Sequence, residues 1–175
     1  MKTENQTGAE RVQLCQLIEH MHLAMLTTVD DAGALVSRPM APLEMASDGS
    51  IWFFSDVQTA KVKQLEALNL AFTDADRGTY VSISGHGEIH NDHARMKRLW
   101  TPAAKPWFPD GPDSPNLCLI KVVPEMAEYW DAPHSKMVRM FAMAASVITG
   151  KPIGVGEHDV LNRLAVTSVS QPATY

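Results

Sequence analysis

The chain has 175 residues, with 20 acidic against 15 basic side chains and a formal charge of −5. That length suits one domain with a substantial core, and the acidic balance, without a basic stripe, excludes the usual nucleic-acid-binding classes. No apolar run approaches the roughly 20 residues a membrane span needs, and Cys15 and Cys118 are too few and too far apart for a disulfide framework.

The first nine residues are polar, carry no apolar signal core, and are expected to be a flexible start, which points to a cytoplasmic chain with two reduced, buried thiols. Val12, Leu14, Leu17, Ile18 and Met21 recur near helical spacing and predict an amphipathic helix over 10–22. Residues 23–29 then read as a strand, Asp30-Asp-Ala-Gly33 as a turn, and 34–42 as a second strand. Pro39 and Pro42 each remove a ladder donor, so this strand should lie at an edge or carry an irregularity. Ser47-Asp-Gly-Ser50 is the next turn, leading into the strand Ile51-Trp-Phe-Phe-Ser55.

A helix is expected over 59–68, with Val62, Leu65 and Leu68 as its apolar stripe. Strands follow at 70–73 and 80–84, the latter running on to His90 through Gly85 and Gly87, a pattern that marks a bend or bulge. Asn91 or Asp92 can cap a helix reaching Trp100. Residues 101–115 hold five prolines and one glycine and form a long loop carrying Trp107 and Phe108. A strand at 117–123 extends towards Trp130 after an interruption at Pro124. The run 133–150 ends in an apolar helix whose Met137, Met140, Phe141 and Met143 suit a packed or dimer-contacting face, and 151–175 reads as a weakly patterned, peripheral tail. Short strands joined by tight turns leave no room for crossover helices early on. The expected fold is therefore mainly β with flanking helices, a small barrel of antiparallel strands rather than a parallel sheet.

Chemistry concentrates where the strand at 51–55 meets the predicted helix. A helix start offers unpaired N–H groups to an anion; Arg38 adds a forked donor and Lys61 a point charge. The set suits one phosphate on an otherwise flat, apolar ligand. His86, Glu88 and His90 share one strand face and could approach a transition metal, but a polar outer face explains them as well, and no metal is assigned. There is no nucleophile–base pair, no G-x-S-x-G elbow and no phosphate-binding P-loop motif, which fits chemistry carried by a bound cofactor.

The ordered motifs Met25-Leu-Thr-Thr28, Ser37-Arg-Pro-Met40, Ile51-Trp-Phe-Phe-Ser55, Thr59-Ala-Lys61, Val81-Ser-Ile-Ser-Gly85, the 92–100 helix, Trp107-Phe-Pro-Asp-Gly111 and Glu128-Tyr-Trp-Asp131 resemble the FMN-binding split β-barrel superfamily. That superfamily includes pyridoxamine 5′-phosphate oxidase, and the match is narrower still with its general stress protein 26 branch. The resemblance covers residues 10–132 and implies a homodimer with FMN between the subunits, FAD being left open. By position it implies Arg38, Ser55, Thr59 and Lys61 around the phosphate and its ribityl neighbourhood, with Ser37 also among the cofactor-binding residues. Pro39, Met40 and Phe54 fall along the flavin ring, and Trp107 becomes a lid or stacking residue. The implied activity is flavin-dependent electron or hydride transfer with a small-molecule donor or acceptor; the alternative is a flavin-sequestering or redox-sensing protein without turnover. The chain departs from the oxidase where a Ser-Arg-Lys signature is replaced by Thr59-Ala60-Lys61. A C-terminal Arg-x-His arrangement also has no counterpart, so that particular oxidase activity is not expected.

Overall fold

Strand β2 (Ala24–Val29) shows how the chain commits to a sheet: Ala24, Leu26 and Thr28 are buried, while Met25 and Val29 alternate outward. The computed structural model describes residues 1–59, 64–131, 157–161 and 164. The remaining elements among them are β1 (Lys2–Thr3), α1 (Ala9–Ile18), β3 (Leu35–Met40), β4 (Pro42–Met45), β5 (Ile51–Asp56), β6 (Leu68–Asp74), β7 (Thr79–His90), α2 (His93–Leu99), β8 (Leu117–Asp131) and β9 (Glu157–Leu161). The strands make one sheet in the order β1-β4-β5-β8-β7-β6-β2-β3, with β9 added along β8. All pairings are antiparallel except the short β1–β4 contact. The sheet curls into a half-barrel with two helices against it, a split-barrel β+α fold.

Both prolines of the second predicted strand behave as their chemistry requires. Pro39 lies in β3, the outer strand of the sheet, and Pro42 opens β4 beside a register shift between Pro42 and Glu44. The β2–β3 turn is set by Asp30, whose Oδ1 accepts from the amides of Ala32 and Ala34 at 2.9 and 2.8 Å. In β7 the register shifts between Ser84 and Gly85, where Gly85 sits opposite Pro124. The expected interruption at Pro124 is therefore this bulge, and β8 continues through it to Asp131.

Two packed clusters fill the interior. Leu14 and Ile18 of α1 meet Leu26, Phe53, Phe72, Ile83 and Val122 from the sheet. A second group joins Trp52 and Leu119 to Met96 and Leu99 of α2, with Phe54, Trp100 and Phe108 leaning on it. Helix α2 starts as expected, the Asp92 carboxylate accepting from the Arg95 amide at 2.9 Å. It is then fastened by Glu44 on β4, which is 1% exposed. The Glu44 carboxylate accepts from Arg98 Nη1 and Nη2 at 2.6 and 3.0 Å and from Arg95 Nη1 at 3.2 Å. Arg95 also lies 3.9 Å over the Trp52 ring, and the pairing with Glu44 holds the Arg98 guanidinium above its ordinary pKa. Glu44→Ala should cost about 3 kcal/mol, because it strips two arginines of a shared, desolvated acceptor. Urea denaturation monitored by tryptophan fluorescence measures this, and an unchanged midpoint would show the cluster to be energetically idle.

Three expectations need revision or fall elsewhere. The helix predicted over 59–68 is not continued at 64–68: those residues are irregular and Leu68 begins β6. Leu65 and Leu68 are buried, but as a wedge and a strand start, so their three-residue spacing did not report a helix. The peripheral tail contains β9, paired with β8 from Ala127 to Asp131, and Leu161 and Leu164 join the main core. The methionine-bearing helix expected before Gly150 lies outside the described residues.

Candidate flavin site

Two runs of chain bring most of the predicted site residues to one end of the sheet. β3 passes through Ala41 directly into β4, and Pro42 of β4 pairs with Phe53 of β5. Met40 and the residues before it therefore approach the end of β5 that carries Phe54 and Ser55. The four β3 residues divide between the sheet's two faces. Arg38 stands opposite buried Leu26, and Met40 opposite buried Ala24, both turned inward. Ser37 and Pro39 turn outward, the Ser37 hydroxyl lying 2.7 Å from that of Thr27. Among the described residues no strand lies beyond β3.

Arg38 is the residue whose environment is incomplete. Its Nη1 is shut off from solvent and has no hydrogen-bond partner among the described residues. A buried guanidinium nitrogen without an acceptor is costly, and an anionic group supplies what it lacks. The donor set fits a phosphate on this observation.

The β5 end is more self-contained. Ser55 is buried, its hydroxyl donating to the Asp56 carbonyl at a long 3.4 Å. Thr59 closes a turn on Asp56, with its amide and hydroxyl donating to the Asp56 carbonyl at 3.1 and 2.7 Å. Lys61 lies outside the described residues. Phe54 faces Trp100 and Phe108 at centroid distances of 5.7 and 6.2 Å, an aromatic wall that ties the β5 end to α2 and to the proline-rich loop. Trp107, on that loop, is 75% exposed and forms no ring pair among the described residues.

Other clusters are engaged locally. His86 Nδ1 lies 2.8 Å from Glu125, and His90 Nε2 lies 3.1 Å from Glu88, whose carboxyl is held below its ordinary pKa chiefly by that hydrogen bond. Among the described residues no three His, Cys, Asp or Glu side chains are grouped to hold a metal ion. Cys15 and Cys118 are buried and form no disulfide, Cys118 Sγ donating to the Ser55 carbonyl at 3.4 Å, and burial raises the Cys15 thiol pKa, with Glu19 adding to the effect. Two cavities lie elsewhere. One of about 260 Å³ is walled by Gln13, Arg77, Tyr129 and Asp131 near α1, and another of about 340 Å³ lies at the turn end of the β2–β3 hairpin. Sequence reasoning missed the second, although its signal was present: Thr28 is a polar residue at the buried phase of β2.

A family model described as pyridoxamine 5′-phosphate oxidase like matches residues 9–153, most of the chain. The chain belongs to the pyridoxamine 5′-phosphate oxidase-like family. Among curated relatives of the chain, the protein bli-3 of Neurospora crassa is 30% identical over 147 residues, covering 77% of this chain and 70% of that protein. A solved structure from Jannaschia sp. CCS1, provisionally assigned as a general stress protein 26, superposes with a TM-score of 0.68 at 23% identity, over 84% of this chain and 94% of its own. The general stress FMN/FAD binding protein of Xanthomonas citri superposes with a TM-score of 0.59 at 27% identity, over 71% and 90%. These superpositions show that the chain shares the fold of those proteins, and no helix among the described residues is long and apolar enough to cross a membrane.

Proposed function

We propose that this chain is an FMN-binding protein of the general stress type, working as a homodimer with the cofactor between its subunits. The observation that carries the reading is the buried Arg38 Nη1, without an acceptor among the described residues, on a strand at the border of the sheet. Bound there, a flavin would supply electron or hydride transfer between a reductant such as NAD(P)H and a small acceptor. In this reading Arg38, Ser55, Thr59 and Lys61 hold the phosphate and its neighbourhood. Ser37, Pro39, Met40 and Phe54 orient the ring system, and Trp107 covers the partner's site and limits water access. The sheet's outward face favours a second copy: Met25, Tyr80, Met126 and Trp130 are exposed and, by strand register, point the same way across β2, β7 and β8. A cytoplasmic setting, where buried thiols stay reduced, belongs to the same reading.

Reconstitution tests it. Flavin titration should give one equivalent bound per chain, FMN ahead of FAD, and sedimentation should give a dimer. NAD(P)H oxidation well above that of free FMN marks an enzyme, whereas tight binding without turnover marks a flavin-sequestering or redox-sensing protein. Arg38→Ala and Lys61→Ala should each weaken FMN binding by about 1–3 kcal/mol, the scale of a charge-assisted contact. Arg38→Ala should do so without loss of fold stability, since it removes a buried nitrogen that has no acceptor among the described residues. Flavin fluorescence quenching measures the change; wild-type affinity in both variants would remove these residues from the site.

A further inference from the structure

The cavity of about 340 Å³ is bounded by the β2–β3 hairpin, the segment entering β6, and the bulge of β7 and β8. Its walls are mostly apolar, from Val29, Leu35, Ala67 and Leu68, and Leu35 is left 76% exposed at its mouth. Two carboxylates, Glu66 and Glu125, also line it, the second paired with His86 at 2.8 Å. At its back Thr28 is completely buried, yet its hydroxyl has no hydrogen-bond partner among the described residues. Valine would fill the same space without a stranded polar atom, so the hydroxyl has no use that the isolated fold explains.

These polar groups share one character. The carboxylates only accept and the Thr28 hydroxyl can accept, while the Asn69 amide N–H groups are taken up by Ser82 and Ser84; among the lining side chains no cation competes with them. The complement is a donor-rich, positively charged head on an apolar body. The volume is that of a small ligand pocket, room for about one ring. We propose that this cavity is a binding site for a small, largely apolar amine. Thr27, one of its walls, is joined to Ser37 by the 2.7 Å contact between their hydroxyls, which sets the cavity beside the proposed flavin residues. Its service as the substrate or acceptor pocket rests on the flavin reading; the binding itself does not.

The test is protein-observed NMR on the full chain without flavin, titrated in parallel with benzylamine, benzyl alcohol and benzoate. Benzylamine should shift the amides of Thr27 to Val29, Leu68, Asn69, Ser84 and Gly85, and bind at least tenfold more tightly than benzoate. Thr28→Val and Glu66→Gln should each weaken benzylamine about fivefold, the scale of one hydrogen bond, and Thr28→Val should melt no lower than the parent. Benzoate binding as well as benzylamine, shifts confined to other parts of the sheet, or parental affinity in both variants would overturn the proposal. A final titration adds FMN. Competitive displacement of benzylamine would make the cavity part of the cofactor site and overturn its separate assignment, while simultaneous binding supports it. Failure of FMN to bind at all would sink the flavin reading and leave the benzylamine result standing.

Discussion

Gly85→Ala is expected to lower stability by about 3 kcal/mol or more, and the melting temperature by roughly 6–12 °C for a chain of this size. At the β7 bulge Ser84 pairs with Met126 and Gly85 with Pro124, which leaves Glu125 as the extra residue on β8. A Cβ built on Gly85 would stand 2.1 Å from the Val123 carbonyl oxygen and 3.1 Å from its carbon. The obstacle is backbone of the neighbouring strand, so two strands must part before a methyl group fits. The Gly33→Ala variant is the control: Gly33 has φ +82° but nothing within 4 Å of its would-be Cβ, so its cost should be only about 1 kcal/mol, from backbone strain. Thermal unfolding of the two variants side by side decides the matter. Equal losses would mean that the close approach at the bulge is easily relaxed.

Truncation after Gly150 is the second large effect. It removes β9, whose pairing with β8 runs from Ala127 to Asp131, and with it Leu161 and Leu164, both nearly sealed in the main core. Deleting a buried leucine side chain costs about 2–5 kcal/mol. The loss of both, together with a strand's hydrogen bonds, is therefore about 4 kcal/mol or more, a large share of the roughly 5–15 kcal/mol that holds a domain together. The truncated protein should unfold at lower temperature with a broadened transition and bind a hydrophobic dye. The double variant Leu161→Ala/Leu164→Ala, which keeps the strand backbone, should reproduce most of that loss if packing dominates. A truncated chain that melts like the parent would show β9 to be an ornament of the sheet.

Local chemistry was legible in the sequence wherever a few adjacent residues decide the outcome. The Asp30 turn, the Asp92 cap, the edge placement of Pro39 and the bulge at Gly85 each follow from one residue's backbone demands. Short strands were harder. β4 has four residues and begins at the proline that seemed to end its predecessor, so the two were merged into one predicted strand. β9 lacks a clean alternation because its partner β8 supplies the order. The stripe of Val62, Leu65 and Leu68 satisfied a helical period, yet Leu68 is a strand residue; apolar spacing of three cannot tell a helix from a buried crossing followed by a strand. The clasp of Glu44 on Arg95 and Arg98 spans more than 50 residues and leaves no trace in spacing. At the candidate site, the motif order pointed to Arg38, but only the structure shows the nitrogen without an acceptor.

Pro39 gives the outermost strand a consequence for assembly. At that position β3 has no amide to offer a further strand, and the kinked passage into β4 follows at once. A second subunit therefore cannot prolong the sheet along this border by continuous backbone pairing. At this border a second copy would have to meet the sheet broadside, through side chains, and the same interruption guards that border against fibrous stacking.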